Sequence, residues 1–282
     1  MIAVIDIGSN SVRLMLWADG KTILKRLLTT RLGAGMQDGC LNFESMERSA
    51  KAVARFYDEA KEAGAQEIYA FVTAAVRSAT NKEEFLSLVK GLCGLCIDVV
   101  SGESEASLAA FGALGKGDGI VIDVGGASSE VICVEQGAKV FAHSFPIGAV
   151  TLRERCGDDR EKTQTYLAGL FANLPKLQGK VFGVGGTATA LACLHLKLQE
   201  YDAARVQNCY LSADELSKLK CKLFSLTVEE RKGLAGMEQA RADVIAGGVA
   251  IITEIVNKIG AAGLYASDRD NLEGYLVLKG IV

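Results

Sequence analysis

Short runs of β-branched and other apolar residues alternate along the chain with longer segments in which apolar positions recur every three or four residues. The short runs predict buried strands and the longer segments predict amphipathic helices. In the first half this pattern predicts strands at about 2–7, 11–18, 21–32, 67–73 and 97–100, with helices at about 43–63, 81–92 and 103–114. Three hairpin strands followed by alternating helices and strands are typical of a mixed α/β sheet covered by helices.

The same order of elements begins again after the turn-forming stretch KGDG at 116–119. Strands are predicted at about 119–124, 129–135, 138–145, 180–184 and 264–267, with helices at about 151–155, 160–173, 188–198, 213–224, just after 227, and 240–259. The repetition predicts two homologous α/β lobes with a cleft between them, a fold class of mixed sheets flanked by helices. We expect an N-terminal lobe over 1–117, a C-terminal lobe over 118–268, and a closing helix over about 269–282 that packs back on the first lobe.

Matching loops follow the first strand of each predicted lobe. The stretch VIDIGSNS at 4–11 is echoed by VIDVGGASSE at 121–130. In both, an Asp lies at the end of a buried strand and Gly then turns the backbone, so that amide N–H groups and hydroxyls point outward. A single Asp-x-Gly turn often only joins a hairpin. Two such turns at matched positions favour a phosphate-binding role.

The loops contain the two kinds of group that a metal-bound phosphate needs. The candidate donors to phosphate oxygens are Ser9, Asn10, Ser11, Ser128 and Ser129. The candidate metal ligands, acting directly or through water, are Asp6, Asp123 and Glu130. A further anion site is indicated where Gly185, Gly186 and Thr187 open a helix after a strand, although the same residues would also allow close strand–helix packing.

Composition narrows the function classes. A chain of 282 residues can bury two modest cores. The formal net charge of −3 argues against a broad basic face for duplex nucleic acid or an anionic membrane. Eight Cys are too few for a disulfide scaffold in a chain of this length, the given sequence enters a strand at once, and it has no long uninterrupted apolar span. We therefore expect reduced thiols, no membrane segment and a cytoplasmic location.

The ordered set of motifs resembles the exopolyphosphatase and guanosine pentaphosphate phosphohydrolase family, Ppx/GppA, of the actin-like and sugar-kinase-like ATPase superfamily. The matching stretches are AVIDIGSNS at 3–11, TAAVRSATN at 73–81, SGESEA at 101–106, DVGGASSE at 123–130, PIGAV at 146–150, GVGGT at 183–187, RADVI at 241–245, and Ser267 with Asp268. So many ordered matches are far more specific than one Gly loop. The resemblance implies two actin-like, ribonuclease H-like lobes.

The resemblance also implies that phosphate and a divalent metal, Mg²⁺ or Mn²⁺, sit in the interlobe cleft, and that the catalytic carboxylate is Glu105. A Glu in the first turn of a helix could orient water for in-line attack on a terminal phosphoryl group. Arg77 could clamp phosphate oxygens. The simpler alternatives are a dipole-complementing acid for Glu105 and a surface salt bridge for Arg77. Arg241 could reach the cleft or could pair near Asp243 on a solvated helix face, and the sequence leaves both interpretations open. The phosphate-binding residues implied are Gly8, Ser9, Asn10, Ser11, Gly125, Gly126, Ser128, Gly185, Gly186 and Thr187.

Three positions depart from the family pattern. Ser104 stands where relatives have the first of two acids, Ala127 stands where Gly is common, and Leu272 stands where relatives carry Arg. Relatives that process long chains carry further C-terminal helical domains. We expect this chain to be a minimal two-domain form that acts on shorter polyphosphates or on a nucleotide.

These features together predict a Mg²⁺-dependent phosphoanhydride hydrolase that releases terminal phosphate from polyphosphate. The first alternative is a 5′-phosphohydrolase of guanosine pentaphosphate (pppGpp), since both substrates end in a phosphoanhydride. A sugar-kinase-like phosphotransferase and a catalytically silent phosphate- or nucleotide-binding regulator are further alternatives, and fold by itself decides among none of them. Because relatives often dimerise, a homodimer is also expected.

Overall fold

The structure, a computed structural model, describes residues 1–34, 36 and 38–282, with the backbone alone at residues 74, 75, 102, 103 and 106. The chain forms two compact units, one made of residues 1–108 with 271–282 and the other of residues 109–270. No helix in these described residues is long and apolar enough to span a membrane.

The first unit is built on a five-stranded mixed sheet. Its elements in chain order are β1 (Ile2–Ile7), β2 (Ser11–Ala18), β3 (Lys21–Thr29), α1 (Phe43–Glu62), β4 (Glu67–Val72), α2 (Ala74–Arg77), α3 (Lys82–Cys93), β5 (Asp98–Val99) and the first part of α4 (Gly102–Leu114), whose residues 109–114 belong to the second unit. The strand order is β3-β2-β1-β4-β5, in which β1 is antiparallel to β2 and parallel to β4.

The second unit carries a six-stranded mixed sheet, and the last helix of the chain then belongs to the first unit. The elements are β6 (Gly119–Val124), β7 (Ser129–Glu135), β8 (Ala138–Phe145), α5 (Ala149–Cys156), α6 (Arg160–Leu170), β9 (Val181–Val184), α7 (Gly185–Leu196), α8 (Ala203–Val206), β10 (Tyr210–Ser212), α9 (Ala213–Ser225), α10 (Val228–Lys232), α11 (Ile245–Ile259), β11 (Gly263–Ala266) and α12 (Asn271–Leu278). The strand order is β10-β11-β9-β6-β7-β8, with β6 antiparallel to β7 and parallel to β9. The predicted fold class is confirmed: both units are mixed sheets flanked by helices.

The three hairpin strands of the two units match in detail. Both hairpin pairs slip register at corresponding positions, between Leu16 and Trp17 in β2 and between Cys133 and Val134 in β7. The turn between β2 and β3 and the turn between β7 and β8 each have two consecutive residues at positive φ. These are Asp19 and Gly20, at 52° and 74°, and Gln136 and Gly137, at 52° and 73°. Two such residues form the type I′ turn that matches the twist of a hairpin. The duplication therefore extends to the geometry of individual turns.

Apolar side chains cover both faces of the first sheet. On β1, Ala3, Ile5 and Ile7 belong to the core that includes α1, whereas Val4 packs in a second cluster with Leu272 of α12. The position at which the family pattern has Arg is thus a core position here, with Leu272 only 1% exposed. Burying a Leu of this kind stabilises the fold by about 1.5–3 kcal/mol.

Helix α12 is also held by a buried ion pair and an aromatic contact. Glu273, 3% exposed, accepts hydrogen bonds from Thr22 Oγ1 at 2.7 Å and from Lys25 Nζ at 3.1 Å. The rings of Phe71 and Tyr275 stack with centroids 4.6 Å apart. Because a buried carboxylate is costly unless it is paired, these bonds explain how the closing helix can carry an acid against the sheet.

Several elements differ from the sequence-based expectation. Helices α2 and α8 and strand β10 were not predicted, because three or four residues are too few to show a periodicity. Helix α7 begins at Gly185 rather than at 188, so Gly185, Gly186 and Thr187 belong to its first turn even though Gly is a poor helix former. Helix α11 begins at Ile245 rather than at 240, after a short 3₁₀ turn at Gln239–Arg241.

Candidate functional site

The first loop joins β1 to β2 and is closed by its own backbone. Gly8 N donates to Ser11 O at 3.0 Å. The segment after β3 holds the loop from outside, since Thr30 N and Arg31 N donate to Asn10 O at 3.0 and 2.8 Å. The carbonyl groups of Asn10 and Ser11 therefore accept hydrogen bonds from the protein's own backbone, while the residues Ser9 and Asn10 are exposed. Such a loop can offer fixed donors to an anion.

Asp6 lies at the end of β1, directly across from Arg13 on β2. The carboxylate is buried, at 3% exposure, and forms an ion pair with Arg13, whose Nε donates to Asp6 Oδ2 at 3.1 Å. The guanidinium neutralises the buried acid and is itself fixed at the base of the first loop. Arg13 was not among the residues predicted from the sequence, although its place opposite Asp6 follows from the register of the predicted hairpin.

The first unit also brings together the two residues predicted to be catalytic. Arg77 Nη1 forms a hydrogen-bonded ion pair with Glu105 Oε2 and donates to Val100 O at 3.1 Å. Both side chains keep about a quarter of their surface exposed, at 30% for Arg77 and 25% for Glu105. The carboxylate is therefore oriented by a cation while it stays accessible to solvent.

Glu105 is placed by the start of α4. Its backbone N–H donates to Ser101 O at 2.8 Å, and the Ser101 hydroxyl accepts from Ser104 N at 3.1 Å, as in a helix N-cap. Ser101 Oγ also donates to Ser104 Oγ at 3.0 Å. Ser104, the departure from the family's paired acids, thus supports the helix start through its hydroxyl.

The second loop joins β6 to β7 with the same closing hydrogen bond as the first. Gly125 N donates to Ser128 O at 3.0 Å. The start of α5 packs directly on the loop: a Cβ atom placed on Gly148 would lie 2.4 Å from Gly126 C. Gly at 148 is therefore needed for this approach.

One predicted phosphate donor is wrong. Ser129 is fully buried, at 0% exposure, and its hydroxyl donates to Ile147 O at 2.6 Å. It lies at the start of β7, as the predicted strand at 129–135 requires, and its hydroxyl is used inside the fold rather than presented to a ligand. Ser128, the neighbouring donor, is partly exposed.

Two predicted metal ligands are cross-strand neighbours in the second unit. Asp123 on β6 pairs directly with Glu130 on β7. Glu130 accepts a hydrogen bond from Ser144 Oγ at 2.7 Å. Asp123 lies against the start of α7, where a Cβ on Gly185 would be 2.7 Å from its Oδ1, and Gly185 has φ of +76°. Gly185 is thus required both by its backbone angle and by the space that the carboxylate occupies.

The start of α7 contacts Arg241, whose role the sequence left undecided. A Cβ on Gly186 would lie 2.3 Å from Arg241 Nη2, so the guanidinium rests on the helix backbone. Arg241 Nε donates to a carboxylate oxygen of Glu238. The next residue, Thr187, is 5% exposed, and its hydroxyl donates to Val124 O at 2.7 Å, which ties α7 to β6. Its hydroxyl therefore has a structural partner.

These groups line a cavity of about 140 Å³ in the second unit. The lining residues include Asp123, Gly125, Gly126, Gly186, Thr187 and Arg241. A Gly loop, a helix N-terminus and a guanidinium are the groups that bind phosphate oxygens in proteins. The tertiary structure thus brings two separate sequence motifs and one unassigned Arg to a single cavity.

The two carboxylates of Asp123 and Glu130 fit a hard cation that keeps most of its water ligands. Among the described residues, no group of three or more His, Cys, Asp or Glu side chains is arranged to hold a metal ion. Mg²⁺ commonly uses one or two carboxylates together with water and substrate phosphates. Asp123 and Glu130 match that requirement, whereas the carboxylate of Asp6 already has the Arg13 cation beside it.

A duplicated mixed sheet with an Asp and a Gly loop after the first strand of each half defines a protein of the actin-like fold class. The chain belongs to the Ppx/GppA phosphatase family, whose sequence pattern matches residues 5–279. The resemblance stated from the sequence is thereby confirmed.

Individual relatives cover most of the chain. Exopolyphosphatase 2 of Mycobacterium tuberculosis is 27% identical over 308 residues, covering 97% of this chain and 96% of the relative. The guanosine-5′-triphosphate,3′-diphosphate pyrophosphatase of Vibrio cholerae is 28% identical over 280 residues, which cover 92% of this chain and 55% of the relative. The crystal structure of the type II variant of the Aquifex aeolicus Ppx/GppA phosphatase matches with a TM-score of 0.90 at 30% identity, with 98% of each chain covered.

Proposed function

We propose that this protein is an exopolyphosphatase, a hydrolase that releases the terminal phosphate of polyphosphate, with a preference for shorter chains. The observation that carries the proposal is the Arg77–Glu105 pair, which orients an accessible carboxylate at the start of α4. Membership of the Ppx/GppA family and the likeness to the M. tuberculosis exopolyphosphatase support it.

In the proposed reaction, Glu105 orients a water molecule and accepts its proton as the water oxygen attacks the terminal phosphorus. The phosphoanhydride P–O bond breaks, and the bridging oxygen leaves with the shortened chain. Arg77 holds Glu105 and adds positive charge where negative charge develops in the transition state. We assign phosphate binding to the backbone of the two Gly loops and to the start of α7 with Arg241.

A divalent cation, Mg²⁺ or Mn²⁺, completes the proposal. Asp123 and Glu130 would hold it, with Asp6 a further predicted ligand acting directly or through water. When bound, such an ion neutralises phosphate oxygens and so favours attack by water. Treatment with EDTA is therefore expected to abolish phosphate release, and added Mg²⁺ to restore it.

The test is phosphate release from tripolyphosphate and long-chain polyphosphate by the wild type and by Glu105→Gln. Loss of a general base is expected to slow release by about 100- to 10,000-fold, with little change in thermal stability. Glu83→Gln is the matched control, since Glu83 is an acid in the first turn of α3 in the same unit, outside the proposed site. Equal rates for Glu105→Gln and the wild type would refute the role of Glu105.

Hydrolysis of guanosine pentaphosphate is the second candidate activity, favoured by the likeness to the V. cholerae pyrophosphatase. The same groups would act on it, because its 5′ end is also a phosphoanhydride. The proposal further includes a cytoplasmic location and a homodimer. Light scattering of the purified chain measures the oligomeric state directly.

A further inference from the structure

A buried arginine lies in the second unit outside the groups discussed so far. Arg231, on α10, is 0% exposed, and it is not one of the described residues that line the cavity of about 140 Å³ assigned to phosphate, the phosphate cavity. Its Nε donates to Leu223 O on α9 at 2.8 Å, and its Nη2 donates to Asp158 Oδ1 at 2.9 Å. A buried guanidinium is costly unless such partners satisfy it. Arg231 therefore fixes α9, α10 and the segment with Asp158 to one another.

Asp158 extends this contact to α5. It lies two residues beyond the end of α5 (Ala149–Cys156) and also forms an ion pair with Arg153 of that helix. Partial burial would raise the pKa of the Asp158 carboxyl, but the hydrogen bonds from Arg153 and Arg231 outweigh this effect and lower the pKa. The carboxylate is therefore ionised at neutral pH and is shared by two guanidinium groups. It anchors the C-terminal end of α5 to the buried arginine.

The other end of α5 holds the second loop. Ala149 N donates to Gly125 O and Val150 N donates to Gly126 O, both at 2.9 Å. All four of these residues line the phosphate cavity. Because α5 has eight residues, about 12 Å of helix separates these loop contacts from the anchor at Asp158. One wall of the phosphate cavity is thus fixed from the far end of a short helix.

The third contact of Arg231 reaches the segment that carries Arg241. Arg231 Nη1 donates to Ala242 O at 3.4 Å, and Ala242, the residue after Arg241, is 0% exposed. Arg241 lies in the 3₁₀ turn Gln239–Arg241, within the stretch 233–244 that joins α10 to α11. Its guanidinium lines the phosphate cavity from this turn. Irregular segments open more easily than packed helices, so a contact from outside helps to set the place of Arg241.

We propose that Arg231 is a positioning residue for phosphate binding, acting with Asp158 to hold Arg241 in place relative to the second loop. One buried guanidinium joins the anchor of α5, which holds the loop, to the turn that carries Arg241. Arg231 contacts no substrate in this proposal and acts through Arg241. The role rests on the proposed function, because the phosphate cavity belongs to that proposal. Donors that are fixed before the ligand arrives cost no reorganisation on binding.

The test is calorimetric titration of the full chain with pyrophosphate, in buffer containing Mg²⁺. Asp158→Asn is the main variant, because the Asp158 side chain is 37% exposed and the change replaces a carboxylate by an amide of the same size. It is expected to bind pyrophosphate about 10-fold more weakly than the wild type, since loss of a hydrogen bond to a charged group has about that effect. Asp158→Glu, which keeps the charge, is expected to recover part of the affinity.

Two outcomes of the titration would overturn the proposal. One is an unchanged affinity for pyrophosphate in Asp158→Asn. The other is a wild type that binds no pyrophosphate, whatever its rate of phosphate release.

Asp118→Asn is the matched control for a merely structural effect. Asp118 is also an acid of the second unit, and it accepts hydrogen bonds from Gln136 N and Gly137 N in a turn outside the phosphate cavity. The control is expected to lower the Tm at pH 7 without changing the affinity for pyrophosphate. If both variants weakened binding in proportion to their loss of Tm, Arg231 and Asp158 would be an ordinary structural pair, and the proposal would fail.

A double-mutant cycle measures whether the effect passes through Arg241. Arg231→Lys keeps the positive charge but lacks the planar fork that serves three partners, and by itself it is expected to weaken pyrophosphate binding about 10-fold. Added to Arg241→Met, the same change is expected to weaken binding by less than about 2-fold, because no guanidinium remains to be positioned. Additive losses would refute action through Arg241. If Arg231→Lys does not fold, Asp158→Asn takes its place in the cycle.

Phosphate release separates this inference from the proposed function. In Asp158→Asn the KM for tripolyphosphate is expected to rise about 10-fold, whereas kcat stays near the wild-type value, because Glu105 and Arg77 are unaltered. If the wild type released no phosphate yet bound pyrophosphate in a way that depended on Asp158, the hydrolase proposal would fail and the positioning role would stand. Release from tripolyphosphate with a wild-type KM in Asp158→Asn would refute the positioning role and leave the hydrolase proposal standing.

Discussion

The first loops of the two units share one backbone design and differ in charge. Gly8 and Gly125 close their turns with the same 3.0 Å hydrogen bond, to Ser11 O and Ser128 O. The Asp before each loop faces a cross-strand residue at the same register, but that residue is Arg13 in the first unit and Glu130 in the second. A duplicated scaffold thus acquires two electrostatic characters through the residue opposite the Asp.

The difference separates two tasks that phosphate chemistry needs. An Asp–Arg pair is neutral overall and presents guanidinium donors, which suits contact with phosphate oxygens. An Asp–Glu pair carries two negative charges and suits a divalent cation. The comparison predicts that exchanging these cross-strand partners, rather than altering the turns, would change the chemistry.

The largest expected effect comes from Glu130→Arg, which gives the second unit the charge pattern of the first. Removing one carboxylate and adding a cation is expected to lower Mg²⁺-dependent phosphate release by about 100- to 1,000-fold. Glu135→Arg is the control, because Glu135 is an exposed acid at the far end of the same strand. A variant that kept both its rate and its Mg²⁺ dependence would show that the acid pair is not the cation site.

The packing around the two loops also differs, and a pair of Gly→Ala variants measures it. A Cβ on Gly148 would meet backbone atoms of the second loop at 2.4 to 2.5 Å, whereas a Cβ on Gly33 would meet Ser9 Cβ of the first loop at 3.2 Å. Gly148→Ala is therefore expected to cost about 3 kcal/mol or more of unfolding free energy, and Gly33→Ala about 1 kcal/mol or less. Urea titrations of the two variants provide the measurement; similar midpoints would contradict the comparison.

Arg13→Met tests the ion pair that distinguishes the first loop. The change leaves the buried carboxylate of Asp6 facing an apolar side chain and is expected to cost about 2 kcal/mol of unfolding free energy. Arg26→Met, which breaks the Arg26–Glu59 pair of 3.5 Å with Arg26 56% exposed, is expected to cost less than about 0.5 kcal/mol. Thermal unfolding of the two variants in parallel is the measurement. Equal losses of stability in Arg13→Met and Arg26→Met would contradict the special role of the Asp6–Arg13 pair.

The type I′ turns of the two units are also expected to differ, by a smaller amount, in how their contribution to stability depends on pH. Asp118 accepts hydrogen bonds from the backbone N–H groups of Gly137 and Gln136, which lower the pKa of its carboxyl, whereas the corresponding position in the first unit is Met1. A carboxyl with a lowered folded-state pKa contributes stability above its unfolded pKa of about 3.9 and loses it as the pH falls through the folded value. Asp118→Asn is therefore expected to lower the Tm at pH 7 and to have no effect at strongly acidic pH. A deficit that stayed constant with pH would contradict this role.

Much of the fold was predictable because it is encoded locally. The strands at 2–7, 11–18, 119–124 and 129–135 were predicted within a residue, since buried runs bounded by Gly turns have few alternative structures. The elements missed, α2, α8 and β10, have three or four residues each; α8 depends on its cap and β10 on its pairing with β11. Asp202, for example, caps α8 by accepting from Ala204 N at 3.0 Å.

The candidate site was predictable in its motifs but not in its pairings. The Gly loops, Glu105 and Arg77 were recognisable as matched stretches of sequence. Arg241 had two interpretations, because its contact with Gly186 joins residues 55 positions apart along the chain. Ser129 was predicted to donate to phosphate although its hydroxyl donates to Ile147 O inside the fold, because the sequence does not show which hydroxyl at a strand start points into the core.

The sequence by itself determined the family, the mixed α/β class and the duplicated loops, since these depend on short apolar runs, glycines and the order of motifs. Only the tertiary structure decided which charges meet: Asp6 with Arg13, Glu105 with Arg77, and Arg241 with Glu238 against the start of α7. It alone also showed the cavity that the second loop, the start of α7 and Arg241 line together. The physical reason is the distance along the chain over which each feature is decided. Backbone conformation follows from neighbouring residues, whereas charge pairing and cavities depend on register and packing between distant segments.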